Sequence, residues 1–132
     1  MKLLRRALYV EAALVGTFGI VLVLLPGWLL ESVLGQEPLP EYAWVRMLGV
    51  FMIGMAMLMV IVGHRVEETW WFAWAFVLVF AGVAALATGK ALFRVSVGSS
   101  VAAWWVVAAL ATAFAVAMLV GLGRTGLERP AD

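Results

Sequence analysis

Apolar residues run along this chain in four long blocks, broken by short clusters of charged residues, glycine and proline. The blocks cover residues 7–25, 42–63, 69–89 and 101–122. Each reaches the roughly 20 predominantly apolar residues that a helix needs to cross a hydrocarbon core. None shows the apolar/polar alternation over about ten positions that marks a strand of a membrane barrel. Segments apolar on every face predict an all-α fold, an integral membrane four-helix transmembrane bundle with antiparallel neighbours, forming one domain over residues 1–132.

The connections differ in character. Pro26 and Gly27 should end or kink the first helix, and residues 28–34 read as a short amphipathic turn lying on the outer surface. Pro38 and Pro40 then stiffen the approach to the second span. Residues 63–68 predict a tight hairpin, which makes spans two and three antiparallel neighbours. Residues 90–100 read either as an outer loop or as a shallow interfacial stretch, and residues 123–132 as a frayed end.

Lysine and arginine set the expected orientation, because short cytoplasmic loops retain them. An even number of spans puts both ends on one side, which then carries Lys2, Arg5, Arg6, Arg65, Arg124 and Arg129 against Arg46, Lys90 and Arg94 opposite. Both termini are therefore expected in the cytoplasm, with the protein a multi-pass resident of the cell membrane. Tryptophans fit two interfacial belts, with Trp28, Trp44, Trp104 and Trp105 outside and Trp70, Trp71 and Trp74 inside. The first block lacks a small-x-small cleavage signal and reads as a retained anchor rather than a signal peptide.

Composition sharpens this picture. Of 132 residues, 66% are hydrophobic and 13% charged, against about half and a quarter in a soluble domain. The absence of cysteine excludes a disulfide framework, a thiolate metal site and thiol catalysis. A formal charge of +1 with no continuous basic stripe argues against nucleic acid as a partner. Membrane lipids are the expected partners instead. In lipid, helices associate by close approach at small residues. Gly16 and Gly19, Gly49 and Gly54, Gly82 and Gly89, and the alanines from Ala109 to Ala117 offer such faces, equally suited to packing within the chain, to a homo-oligomer or to a larger membrane complex.

Ionisable groups inside spans are costly and so are functional candidates. Glu11 lies about one turn inside the first span, on the face of Leu8, Val15 and Phe18. It reads either as a proton or cation site or as a carboxylate paired with Arg5, Arg6, His64 or Arg65. Arg46 opens the second span with Gly49, Ile53 and Met57 on its face. It reads either as an anion or headgroup contact, or as a guanidinium that snorkels or pairs with Glu31, Glu37 or Glu41. Met52, Met55 and Met59 share one face of span two and form a candidate apolar pocket. Cu(I) suits thioethers, but with no cysteine and only His64 packing is the better reading, and no cofactor or metal is expected. Neither a catalytic triad nor a phosphate loop occurs, so an enzyme is not expected.

Two stretches carry a family resemblance. Leu-Pro-Gly-Trp-Leu-Leu-Glu-Ser-Val-Leu-Gly over residues 25–35, followed by Arg-Met-Leu-Gly-Val-Phe-Met-Ile-Gly over residues 46–54, resembles small bacterial four-span families of the DoxX-like group. There a proline ends span one, a short helix closes on a glycine and Arg-x-x-Gly opens span two. The resemblance covers about half the chain and implies the fold. Tyr-Val-Glu-Ala-Ala-Leu-Val-Gly-Thr over residues 9–17 loosely resembles the small multidrug-resistance transporters, whose first span carries an essential glutamate. The first outer loop here is longer and more acidic than theirs. The four-span fluoride channels are similar in size alone, since this chain contains no asparagine. The expectation is a non-enzymatic membrane module, an accessory subunit or a lipid or hydrophobic-ligand binder; the alternative is a small proton-coupled transporter using Glu11.

Overall fold

A computed structural model describes residues 1–95 and 101–128. They form helices α1 (Lys2–Leu24), α2 (Ala43–His64), a single-turn α3 (Val66–Thr69), α4 (Ala73–Val95) and α5 (Ala102–Glu128), and no strand occurs among them. Four helices are long and apolar enough to cross a membrane, the third running unbroken enough to count as Val66–Phe93.

Local chemistry places the breaks. Pro26 disfavours helical geometry in the residue before it, and Leu25 accordingly leaves the helix at φ −131°, ψ 54°. Trp28–Val33 then forms a wide π-helical turn that buries Leu29. Gly35 ends it with φ 60°, the left-handed conformation that glycine enters most cheaply. The Gln36 N–H donates to the Leu30 carbonyl across that turn at 2.8 Å. Between α2 and α3, Arg65 breaks the helix at ψ 36°. Its carbonyl accepts the Thr69 hydroxyl at 2.8 Å, which tightens the turn.

Helices α1 and α2 form the closest pair, antiparallel and almost backbone to backbone. A Cβ on Gly19 would fall 2.8 Å from the Gly49 carbonyl oxygen, and one on Gly49 would fall 2.7 Å from that of Gly19. Closer to the α2 C-terminus, Gly16 faces Ala56, and Gly63 faces Leu8 and Tyr9. Helix α5 lays a small-residue stripe of Ala108, Ala111 and Ala115 inward, continued by Met118, Leu122 and Thr125. Gly121 accommodates the backbone of Leu4, whose Cα lies 3.1 Å from the position a Cβ would take. Helices α4 and α5 meet edge to face at Phe80 and Phe114, ring centres 5.4 Å apart, the geometry aromatic quadrupoles prefer. One core joins Leu4, Leu8 and Val15 of α1 to Met59 of α2, Phe76 and Phe80 of α4, and Met118 of α5.

Three expectations change. Helix α4 extends through 90–95, so the segment begins as helix, with Ala87 and Ala91 buried; residues 96–100 lie outside the described residues. Helix α5 runs on to Glu128 rather than fraying from residue 123, because Gly121 packs on Leu4 and Leu122 and Thr125 are buried, the Thr125 hydroxyl donating to the Gly121 carbonyl at 2.8 Å; residues 129–132 lie outside the described residues. Finally, Gly54, Gly82 and Gly89 face open space: a Cβ at any of them would meet nothing within 4 Å. The inward face of α4 is made by Phe76, Val77, Phe80 and Ala87 instead.

Candidate functional site

Helix periodicity carries Leu4, Leu8, Glu11, Ala12 and Val15 onto the buried face of α1. Glu11 is 1% exposed, and neither carboxylate oxygen has a hydrogen-bond partner among the described residues. The basic groups expected beside it are engaged elsewhere or turned outward. Arg5 donates from Nε to the Gly63 carbonyl at 3.1 Å and from an Nη to Glu67 at 3.5 Å. Arg65 lies 3.9 Å from Glu68, and His64 is exposed. A buried carboxylate with no partner among the described residues is expensive in its charged form.

Arg46 stands beyond the Gly19–Gly49 crossing, toward the N-terminus of α2, whereas Glu11 lies on the other side of that crossing. It is exposed and has no ion-pair partner among the described residues. Glu31 accepts the Tyr42 hydroxyl instead, and the same hydroxyl accepts the Leu39 N–H at 3.4 Å. Tyr42, not Arg46, therefore ties the first loop to α2. The two sequence candidates belong to separate places.

The methionines divide. Met59 is fully enclosed, and Met52 and Met55 are partly buried against the same core. Met55 also reaches a concave surface, a groove of about 490 Å³ between α2 and α4 bordered by Phe51, Gly54, Leu58, Ala75 and Phe76. A second apolar groove of about 430 Å³ lies on the other flank of α2, between Tyr9 and Ala13 of α1 and Met57 and Ile61. The first exists because α2 and α4, although joined by a short turn, stand apart while α1 and α5 take the close contacts.

At the end where α1 begins and α5 finishes, a cavity of about 600 Å³ is lined by Lys2, Arg5, Arg6, Glu67 and Arg124. The sequence signalled only part of it. Lys2, Arg5 and Arg6 are neighbours in the chain, but Arg124 joins them only through the packing of α5 on α1. The indole N–H of Trp104, expected at an interface, is also buried without a partner. Among the described residues, no group of three His, Asp or Glu side chains is placed to hold a metal ion. No protein-family model, curated protein or solved structure matches this chain.

Proposed function

We propose that the protein is a multi-pass membrane protein acting without catalysis as a binding module for a lipid or other hydrophobic chain. Support for the membrane comes from the outer surface, where Trp44, Phe51, Leu78 and Leu86 are each more than two-thirds exposed, which suits hydrocarbon rather than water. The observation that carries the binding reading is the open seam between α2 and α4. Its volume falls in the range of small-molecule sites. Gly54 leaves its middle unfilled, Met55 offers an adaptable thioether, and its walls hold no group that performs acid, base or nucleophilic chemistry.

A photoactivatable phospholipid with its reactive group on the acyl chain tests this. Crosslinks are expected on the α2 segment holding Phe51 and Leu58, and Gly54→Phe should reduce them to background. The open space around Gly54 lets that side chain fill the seam without striking the core. Unchanged crosslinks in Gly54→Phe count against the seam. A crosslinked second copy of the chain would make it an oligomer contact instead.

A second reading is favoured by one observation, the buried and unpartnered Glu11. Proton-coupled transport needs an acidic group that exchanges a proton within the span, and the burial of Glu11 inside a span supports that role. Proton-driven uptake into vesicles should then disappear in Glu11→Gln; uptake that persists rejects this reading.

A further inference from the structure

The basic cavity is assembled from elements far apart in the chain: Lys2, Arg5 and Arg6 from the first turns of α1, Glu67 from α3, and Arg124 from the last turns of α5. Among the described residues that line it, four cationic side chains face one carboxylate. Arg5 and Glu67 are already occupied with each other. Lys2, Arg6 and Arg124 are exposed and make no ion pair or hydrogen bond with another described residue. Helix α1 has no acidic residue in its first turn, so its N-terminus brings no carboxylate to these cations. Like charges held around one cavity repel, and an anion placed among them relieves that repulsion.

The surroundings select an amphiphile. Leu3 lines the same cavity at 39% exposed, and Leu127, one turn beyond Arg124, is 87% exposed. A free anion would leave these apolar side chains uncovered, whereas a phosphate with acyl chains attached covers both. We propose that this cavity binds the phosphate group of an anionic phospholipid, with Lys2, Arg6 and Arg124 as its ligands and Arg5 as a positioning residue. Arg5 holds α1 against the Gly63 carbonyl and Glu67, which fixes the α1 side of the cavity against α3. The proposal does not depend on the α2–α4 seam, whose residues are different and whose occupancy Gly54→Phe reads separately.

The test reconstitutes the full chain in phosphatidylcholine vesicles containing a minority of phosphatidylglycerol, then extracts it gently and counts retained lipids by native mass spectrometry. Phosphatidylglycerol should be enriched over its share of the bilayer. Each single change, Lys2→Gln, Arg6→Gln or Arg124→Gln, should lower that enrichment about five-fold, as loss of one near-surface cation predicts, while Arg6→Lys retains most of it. Arg46→Gln, which removes an exposed cation at the opposite end of α2, should have no effect. Helix content equal to that of the unaltered protein shows that each variant has folded, and the three single changes are read separately so that one failing to fold leaves the other two informative. Retention in proportion to bilayer composition would overturn the proposal, as would undiminished enrichment in the folded single variants. If inorganic phosphate binds the lipid-free protein and displaces phosphatidylglycerol, the ligand is soluble phosphate and the lipid assignment fails.

Discussion

Hydrogen is the largest substituent that the α1–α2 crossing tolerates at Gly19 and Gly49. In each case the nearest atom to an added Cβ is the other glycine's carbonyl oxygen, under 3 Å away, and backbone cannot rotate aside as a side chain can. Gly49→Ala should force the helices apart and cost about 1 to 3 kcal/mol, the usual penalty for overpacking. Gly54→Ala on the same helix has open space and should be neutral or gain up to about 1 kcal/mol from helix propensity. Reversible unfolding in mixed detergent, monitored by helix signal, separates the two. Glu11 is the opposite case, a side chain that fits the space but not the chemistry. Its buried oxygens gain no hydrogen bond to offset desolvation, so Glu11→Leu should raise stability by about 1 to 3 kcal/mol in the same measurement. A loss of stability would show that the carboxyl has a partner in the membrane, such as a bound cation.

At the scale of elements, the helix ends show how side chains far away in sequence complete what a helix leaves undone. The last carbonyls of α2 have no intrahelical donor, and the guanidinium of Arg5 supplies one to Gly63 across 58 positions of sequence. Arg5→Met keeps much of the apolar stem and removes the donor. It should cost about 1 kcal/mol and speed amide hydrogen exchange first at the last turn of α2. The existence of four long helices was legible because lipid-compatible backbone must satisfy itself internally, and hydropathy reads that requirement directly. The breaks at Pro26 and Arg65 were legible for similarly local reasons. The ends of α4 and α5 were not, because a hydropathy block stops at the first polar residues while the hydrogen-bond ladder does not. Thr125 is buried in that last stretch, its hydroxyl donating to the Gly121 carbonyl, so the turn packs although its residues read as polar. Which small residues pack was also hidden. Gly82 and Gly89 look as suitable as Ala87 and Ala91, and only the rotation of α4 toward α5 decides between them. Glu11 was visible as an anomaly, but its isolation was not, because sequence cannot show that Arg5 turns away.

Across the whole molecule, charge is distributed unevenly between the two ends of the bundle, and the direction of that asymmetry has consequences. Lys2, Arg5, Arg6, Arg65 and Arg124 gather at the end where α1 begins and α2 and α5 finish, outnumbering Glu67 and Glu68 there, while Glu31, Glu37 and Glu41 in the loop at the other end are matched by Arg46, Lys90 and Arg94. We expect the basic end to face the cytoplasm, because lysine and arginine near short loops are retained there. The cysteine-free chain makes a direct test possible, since any single introduced cysteine is the only thiol. Gln36→Cys in the acidic loop should react with a membrane-impermeant maleimide on intact cells. Glu68→Cys at the basic end should react only after permeabilisation. The reverse pattern would invert the protein, and labelling of both from one side would mean that α2 does not cross at all. Orientation also bears on the basic cavity. Anionic lipid concentrates in the cytoplasmic leaflet and attracts each nearby cation by about 1 kcal/mol, so a basic end facing the cytoplasm meets its ligand at high local concentration. In the inverted protein the same cavity would lack that advantage, and the acidic loop would meet the anionic surface with like charge. A variant flipped by adding lysines to the acidic loop, with Lys2, Arg5, Arg6 and Arg124 all kept, should therefore reverse the labelling pattern and carry less anionic lipid out of cells, while its enrichment in symmetric vesicles stays unchanged.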